Sequence, residues 1–176
     1  MVRADRRDQL SERPRNIILP DVDFETVVSK AVRGCFSNIG QSCDAAIRVL
    51  AACGRHDQTS PIAKVAAEEL RTGDPNSADT NLGPVVSDVQ FGKTQGLIGE
   101  GIEEGTTLVA GGPNRLWPNR GYYVRPWASG NVTPGMTIAL EEAFGQVLSV
   151  ISYEDAIRIA NATAYGLAAY VQLADI

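Results

Sequence analysis

Short apolar runs alternate along the chain with longer stretches in which apolar residues recur every three or four positions. The first pattern is typical of buried strands and the second of amphipathic helices. Strands are predicted at 16–19, 45–53, 106–110, 122–125, 128–132, 147–152 and 166–173. Helices are predicted from about 23 to 40 and at 61–71, 88–104 and 154–162. This alternation indicates an α/β fold, layered α/β/α, with a largely parallel sheet.

Capping residues predict where these helices begin and end. Asp21 or Asp23 is expected to cap the first helix, and Gly40 to end or kink it. Ser60 is expected to cap the second helix, with Pro61 in its first turn. The third helix contains four glycines, which cost about 1 kcal/mol each relative to alanine, so packing must hold it together.

Composition narrows the class of protein. The chain has 176 residues and a net charge of −5, which argues against a nucleic-acid binder because such proteins present basic surfaces. No apolar run reaches the roughly 18 residues that a membrane span needs. The first 15 residues contain no apolar core of a secretory signal. A cytoplasmic protein that binds neither nucleic acid nor membrane is therefore expected.

The domain organisation is predicted from a change in composition near residue 15. Seven of the first 15 residues are Arg or Asp, and such a stretch buries too little apolar surface to fold. Residues 1–15 are therefore expected to form a disordered tail, and residues 16–176 one globular unit. The apolar stretch that precedes Ile176 resembles the middle of a domain, which suggests a fragment of a larger protein.

The chain has three cysteines, Cys35, Cys43 and Cys53, and one histidine, His56. Their spacing fits neither a disulfide framework nor the common zinc modules, so no metal site is expected. Cys35 falls on the apolar face of the first helix and Cys53 ends a predicted strand, so both are expected in the core. From the residues alone, Cys43 would also be a small buried hydrophobe.

Five ordered motifs change the expectation for Cys43. They are FSNIGQSCDA at 36–45, GPVVSDVQFGK at 83–93, GYYVRP at 121–126, EEAFGQVLSV at 141–150 and IANATAYGLAAYV at 159–171. Together they resemble the aldehyde dehydrogenase superfamily, with its N-x-G-Q-x-C and E-E-x-F-G-P-V motifs, from about residue 16 to the end. A set of ordered motifs is far more specific than any single one.

The resemblance implies a chemistry and a set of site residues. Cys43 aligns with the nucleophile, whose thiolate attacks an aldehyde; the cofactor is NAD or NADP and the product a carboxylic acid. Asn38 aligns with an asparagine beside the nucleophile. Glu142 aligns with a glutamate that binds the nicotinamide ribose, and Phe144 with an aromatic near the nicotinamide. Two further residues align more loosely with polar groups near the ribose, namely Gln90 and Lys93.

The chain also departs from the family pattern. The family's general base, a glutamate, falls on Gln9, and an amide cannot accept a proton near neutral pH. Ser11 and Glu12 replace two family glycines, and Gln146 replaces the proline of F-G-P-V. No G-x-G-x-x-G motif follows a strand, so we do not expect the family's Rossmann-like cofactor domain within these 176 residues.

Three functional hypotheses follow. In the first, the chain is a partial catalytic domain of an NAD(P)-dependent aldehyde dehydrogenase that does not turn over alone. In the second, it is a non-catalytic fragment that associates with copies of itself or with full-length subunits through exposed sheet edges. In the third, it is a cofactor-free thiol esterase in which Cys43 is acylated by an activated ester.

Overall fold

The computed structural model describes residues 14–113, 116, 121–162 and 167–174. Among these residues it has six strands and five α-helices. In chain order they are β1 (Arg15–Ile18), α1 (Phe24–Phe36), β2 (Arg48–Ala52), α2 (His56–Glu68), α3 (Asp88–Glu103), β3 (Thr107–Ala110), β4 (Trp127–Val132), α4 (Thr137–Leu140), β5 (Val147–Tyr153), α5 (Ala156–Asn161) and β6 (Ala169–Gln172). Two short 3₁₀ turns lie at Ser37–Gly40 and Cys53–Arg55.

All six strands form one sheet, in the order β3-β4-β5-β2-β1-β6. Every neighbouring pair is parallel except β3 and β4, which are antiparallel. The predicted α/β class and largely parallel sheet are therefore confirmed. Because the strands are parallel, the residues that precede β1, β2 and β5 lie at one edge of the sheet.

The central strands are buried on both faces of the sheet. Six of the seven residues of β5 are buried, as are four of the five in β2. Since successive side chains of a strand point to opposite faces, this continuous burial requires packed layers on both sides. The largest fully buried apolar side chains are those of Trp127, Phe36, Ile18, Leu50 and Ile98.

Helix α1 follows its sequence prediction at the first turn and departs from it at the last. Asp23 is the N-cap, and its carboxylate accepts a hydrogen bond from the Thr26 amide at 3.4 Å. The α-helix ends at Phe36 rather than Gly40, because Asn38 and Ile39 have positive φ angles that no α-helix contains. The turn that replaces the last helical residues leads directly to Cys43.

The predicted start of α2 is wrong. The 3₁₀ turn Cys53–Arg55 runs straight into the helix, which begins at His56, so Pro61 lies in the second turn and Ser60 is not the cap. The helix also ends at Glu68, three residues before the predicted end at Arg71. Cys53 is exposed in this 3₁₀ turn, so the prediction that it lies in the core is wrong as well.

Two predicted strands also differ. Strand β2 begins at Arg48 rather than at Ala45: the Ala45 amide closes a turn onto the Ser42 carbonyl, and the first bond to β5 is made by the Ile47 carbonyl, which accepts from the Ser149 amide at 2.9 Å. The segment 122–125 is not a strand; it makes only isolated bonds, such as the Val85 amide to the Tyr122 carbonyl at 3.0 Å.

The remaining predicted elements match the structure within a few residues, whereas the short helix α4 was not predicted. Helix α3 forms despite its glycines, with Ser87 as N-cap and Phe91, Leu97 and Ile98 buried. Helix α5 begins only after Asp155, whose carboxylate caps it through the Arg158 amide. Residues 1–13 of the predicted tail lie outside the described residues, as does residue 166 of the last predicted strand, whereas Arg15 of the predicted tail belongs to β1. No helix in the described part of the chain is both long and apolar enough to span a bilayer.

Candidate functional site

A narrow cleft lies where the chain enters the parallel strands β1, β2 and β5. Its lining comes from the residue before β1, from the turn before β2 and from the loop before β5; the lining residues are Pro14, Gly40, Ser42, Cys43, Ala45, Ile47, Glu142 and Phe144. The cleft itself has a volume of about 10 Å³. That is room for about one water molecule, so only a reacting atom fits between these side chains, and the body of any ligand that they bind lies outside the cleft.

Cys43 is exposed at the second position of a four-residue turn. The turn is closed by the Ala45 amide, which donates to the Ser42 carbonyl at 3.1 Å. The preceding Gln41 is held from two sides: its side-chain oxygen accepts from the Val86 amide at 3.1 Å, and its carbonyl accepts from the Asn38 side-chain amide at 3.0 Å. The backbone just before Cys43 is therefore held both by a neighbour in sequence, Asn38, and by a residue far along the chain, Val86.

Gly40 brings this turn into contact with the loop that leads to β5. Its φ is +69°, in the left-handed region that favours glycine. A Cβ atom at this position would overlap the Gly145 carbonyl oxygen and lie 2.6 Å from the Gly145 carbonyl carbon. The Cys43 turn and the 141–146 loop therefore pack backbone against backbone, and only glycine permits that approach.

Backbone strain is concentrated around the cleft. Four non-glycine residues among those described have positive φ, and three of them, Asn38, Ile39 and Phe144, flank Cys43 in the two facing segments. Positive φ is unfavourable for a β-branched residue such as Ile39 and for a bulky aromatic such as Phe144. Strained residues of this kind cluster at functional sites, because the surrounding structure must hold them there.

The 141–146 loop is supported from both ends. The Gln90 side-chain amide on α3 donates to the Ala143 carbonyl at 2.8 Å and to the Phe144 carbonyl at 2.9 Å. The buried Arg48 on β2 donates to the Ala139 carbonyl at 2.5 Å and to the Glu141 carbonyl at 3.1 Å. This support places half-buried Glu142 and Phe144 in the cleft with Cys43.

Gln146, which replaces the family proline, is fully buried at the end of this loop. Neither its side-chain oxygen nor its side-chain nitrogen has a hydrogen-bond partner among the described residues. Its backbone carbonyl accepts from the Trp127 amide at 2.9 Å, so the residue is held by its main chain alone. A buried amide without partners is destabilising.

A polar cluster lies beside Cys43, on the side of β6. The Asp44 carboxylate accepts hydrogen bonds from the Ser42 hydroxyl and, at 3.3 Å, from the Tyr170 hydroxyl. The Ser42 hydrogen bond, chief among several, lowers the pKa of Asp44, so its carboxylate is ionised at neutral pH. Desolvation and then the charge of Asp44 raise the pKa of Tyr170 above its ordinary value.

This cluster borders a larger cavity of about 440 Å³, within the size range of small-molecule sites. One wall is α1 and another is β6; the described residues that line it are Asn16, Lys30, Ala31, Gly34, Cys35, Ser37, Asn38, Ser42, Asp44, Ala45, Ala46, Tyr170 and Gln172. The cavity shares Ser42 and Ala45 with the narrow cleft. The two spaces therefore meet at the Cys43 turn.

The predicted site residues divide into two groups. The structure brings Cys43, Glu142 and Phe144 into one cleft. Gln90 lies behind this cleft, where its side-chain amide is engaged with the loop carbonyls. Lys93 is exposed on α3 and is not among the lining residues.

The other residues singled out from the sequence lie elsewhere. Asn38 lines the larger cavity, with its side-chain amide bound to Gln41, and Gln9 lies outside the described residues. Cys35 is buried, as expected, and desolvation raises the pKa of its thiol far above the ordinary range. Within the described part of the chain, no group of three or more His, Cys, Asp or Glu side chains is placed to hold a metal ion.

Two residues of the polar cluster beside Cys43, Asp44 and Tyr170, were not predicted from the sequence. Asp44 is adjacent to Cys43, so its position in the sequence was the available signal. Tyr170 is 126 residues away from Asp44, and only the parallel pairing of β6 with β1 brings the two together.

Comparisons with known proteins identify a family that this chain matches. Residues 12–176 match the family model described as the aldehyde dehydrogenase family. The chain is 41% identical over 169 residues to 3-succinoylsemialdehyde-pyridine dehydrogenase of a Pseudomonas species, covering 93% of this chain and 35% of the relative. It is 42% identical over 159 residues to a putative aldehyde dehydrogenase of Staphylococcus aureus strain USA300, covering 88% of this chain and 34% of that protein.

Solved structures give the same result. One is aldehyde dehydrogenase C from Pseudomonas syringae, a cysteine-to-alanine mutant in complex with NAD+ and octanal, with a TM-score of 0.90 and 40% identity. Another is the Mycobacterium tuberculosis aldehyde dehydrogenase in complex with NAD+, with a TM-score of 0.88 and 37% identity. Each match covers 93% of this chain and 35% of the other. The chain thus spans about a third of the length of these relatives.

Proposed function

The chain belongs to the aldehyde dehydrogenase family, and on that premise we propose that it is the nucleophile-bearing part of an enzyme that oxidises an aldehyde to a carboxylic acid with NAD or NADP. The observation that carries the proposal is the meeting of Cys43, Glu142 and Phe144 in one cleft, flanked by strained backbone. The relatives solved with NAD+ and with octanal support the choice of cofactor and substrate class. The cytoplasmic location stays a prediction.

Cys43 performs the first chemical step. Its thiolate attacks the aldehyde carbon, the C–S bond forms, and the carbonyl oxygen takes a proton to give a thiohemiacetal. The exposed turn Ser42–Ala45 presents the thiol without burying it, in contrast to the inert thiol of Cys35. The body of the aldehyde then lies in the 440 Å³ cavity, because the cleft at Cys43 is too small for more than the reacting group.

The cleft residues fit one end of a dinucleotide cofactor. Glu142 offers a carboxylate that can accept from two ribose hydroxyls, and Phe144 offers an aromatic surface for the nicotinamide. When bound, the oxidised nicotinamide supplies the hydride acceptor that oxidation of the thiohemiacetal carbon requires. No basic side chain is among the described lining residues, so the phosphates would be held elsewhere in a complete enzyme.

Release of the acid from Cys43 requires a water molecule and a base. The resemblance places Gln9 at the position of that base, and its amide cannot take the proton. We therefore expect an activated ester to acylate the chain at Cys43, with loss of its alcohol, and the thioester then to persist without further turnover.

A chromogenic acetate ester tests the proposal. We expect a burst of about one nitrophenolate per chain from 4-nitrophenyl acetate, followed by no steady turnover. The burst should be lost in Cys43→Ala and kept in Cys53→Ala, which removes the other exposed thiol. Mixing the chain with octanal and NAD+ should yield no NADH. An equal burst in both variants, or none in the unmodified chain, would contradict the role of Cys43.

The same assay separates the thiol-esterase hypothesis from ours. Continued release of nitrophenolate after the burst, dependent on Cys43, would mean that water deacylates the thiol without the family base. In that case the chain would be a hydrolase rather than a part of a dehydrogenase.

The association hypothesis is supported by a specific surface. Strand β6 ends the sheet on one side within the described residues, and Val171 and Leu173 are exposed there, as is Leu167 just before it. Apolar edge strands pair readily with other chains. Sedimentation of the purified chain across a concentration series tests this hypothesis. A monomer at all concentrations would contradict the hypothesis, whereas an oligomer that Val171→Lys dissociates would support it.

A further inference from the structure

Asp44 occupies an unusual position for a carboxylate. It directly follows Cys43 in the turn and lines the cavity that meets the cleft. The Ser42 and Tyr170 hydroxyls both donate to it, which fixes the carboxylate at the cavity wall and keeps it ionised. A negative charge beside Cys43 disfavours the thiolate that the proposed chemistry needs. Asp44 therefore does not serve to activate the thiol, and a role in binding is considered instead.

The rest of the cavity supports a role in binding. Asp44 and Lys30 are the two charged residues among the described lining. Lys30 lies on α1, seven residues before Ser37, which corresponds to about 10 Å along the helix axis. Asp44 is the residue next to Cys43, and charge interactions weaken with distance, so Asp44 outweighs Lys30 at the Cys43 end of the cavity. Glu142, in the adjoining cleft, carries a charge of the same sign as Asp44.

A second acceptor lies in the same cavity. The side-chain oxygen of Asn16 is buried and has no hydrogen-bond partner among the described residues, and Asn16 lines the cavity wall. Unsatisfied buried acceptors favour a ligand that carries N–H donors. The carboxylate and this amide oxygen thus suit the same kind of ligand group.

We propose that Asp44 is a specificity-determining residue, which favours aldehydes bearing a protonated nitrogen near the carbonyl over aldehydes bearing a carboxylate there. This inference rests on the proposed function, because it assumes that the compound approaching Cys43 is the substrate. Tyr170 acts through Asp44. Its hydroxyl donates to the Asp44 carboxylate and, at 3.2 Å, to the Asp44 carbonyl, and these two hydrogen bonds hold the Asp44 side chain at the cavity wall.

Charged thiol reagents of matched size test the inference without any aldehyde chemistry. We would measure rates of modification of Cys43 by 2-aminoethyl, 2-sulfonatoethyl and methyl methanethiosulfonate, each read from its own peptide by mass spectrometry. Cys53 in the same molecule reports the effect of the overall charge of −5. At low ionic strength the ratio of the cationic to the anionic rate should be about fivefold higher at Cys43 than at Cys53.

Two variants separate the local charge from the overall charge. Asp44→Asn should lower the ratio at Cys43 severalfold toward that at Cys53 and leave the rate with the neutral reagent within about twofold. Asp79→Asn makes the same change on an exposed loop outside the cavity and should leave the ratio at Cys43 unchanged. Should Asp44→Asn fail to fold, about 1 M salt should abolish the excess ratio in the unmodified chain.

The inference would be overturned by equal ratios at the two cysteines, by a preference for the anion, or by a persistent ratio in Asp44→Asn. A uniform change with all three reagents would also overturn it, because Asp44 would then shape the turn rather than select charge. Failure here with an intact ester burst at Cys43 would remove only this inference. Loss of that burst as well would remove the proposed function.

Discussion

Replacing Gly40 by alanine should break the contact on which the candidate site is built. At φ +69° an L-residue costs about 1–2 kcal/mol relative to glycine. The new Cβ would also overlap the Gly145 carbonyl, a backbone group that cannot rotate away, and relief of such overpacking costs about 1–3 kcal/mol. We therefore expect Gly40→Ala to lower the free energy of unfolding by about 3 kcal/mol.

The matched control is Gly34→Ala on α1. A Cβ at Gly34 meets no heavy atom within 4 Å, and alanine is favoured over glycine in a helix by about 1 kcal/mol. Both substitutions restrict the unfolded chain equally, so the difference between them reports the folded state alone. Gly34→Ala should therefore raise the free energy of unfolding by about 0.5–1 kcal/mol.

Urea unfolding followed by circular dichroism measures both variants, and the alkylation rate of Cys43 relative to Cys53 reports the local geometry. We expect Gly40→Ala to change this relative rate, whereas Gly34, which lines the 440 Å³ cavity, serves as the control for stability only. The reasoning would be refuted if Gly40→Ala unfolded within about 0.5 kcal/mol of the parent chain, since the two segments would then not be in contact.

Further predictions concern other buried groups. Gln146→Met should raise the free energy of unfolding by about 1–3 kcal/mol, because it removes two buried polar atoms that have no partner among the described residues. A lower free energy of unfolding in urea would show instead that the Gln146 side-chain amide makes hydrogen bonds. Burial and then the charge of Asp21 raise the pKa of Tyr153 above 10, so the stability that its proton provides is present below pH 10 and lost above it. Tyr153→Phe should therefore show a shallower loss of stability from pH 9 to 12, and an unchanged slope would contradict this. Gly96→Ala on α3 should raise the free energy of unfolding by about 0.5–1 kcal/mol, because the added Cβ meets no other atom. Gly101→Ala should raise it less, because its Cβ would lie 2.9 Å from the Ile138 side chain. Equal shifts in Tm for the two variants would contradict this prediction.

Much of the fold follows from local patterns in the sequence. Asp23 and Ser87 cap α1 and α3 as acceptors for amides three residues on, and the apolar run 147–152 forms the most continuously buried strand. These elements were predictable because a cap or an apolar run acts over a few residues. The start of α2 was missed because the rule that places Pro61 in the first turn ignores the 3₁₀ turn before it.

The candidate site was predictable only in part. Cys43 and Glu142 both precede strands, and their meeting requires that β2 and β5 be parallel neighbours, which the sheet order shows and the sequence did not predict. The support from Gln90 was not predictable, because its partners are carbonyl groups of the backbone more than 50 residues away. The exposure of Cys53 was mispredicted because an apolar run gives no signal for the residue at which a strand stops.

The central claim is that Cys43 is the nucleophile that captures an aldehyde. The most direct measurement is the rate at which iodoacetamide alkylates each cysteine peptide in the presence and absence of octanal. If Cys43 forms a thiohemiacetal, octanal will slow alkylation of Cys43 and leave Cys53, the exposed reference thiol, unchanged. Equal rates with and without octanal at Cys43, or equal slowing at both cysteines, would contradict the account.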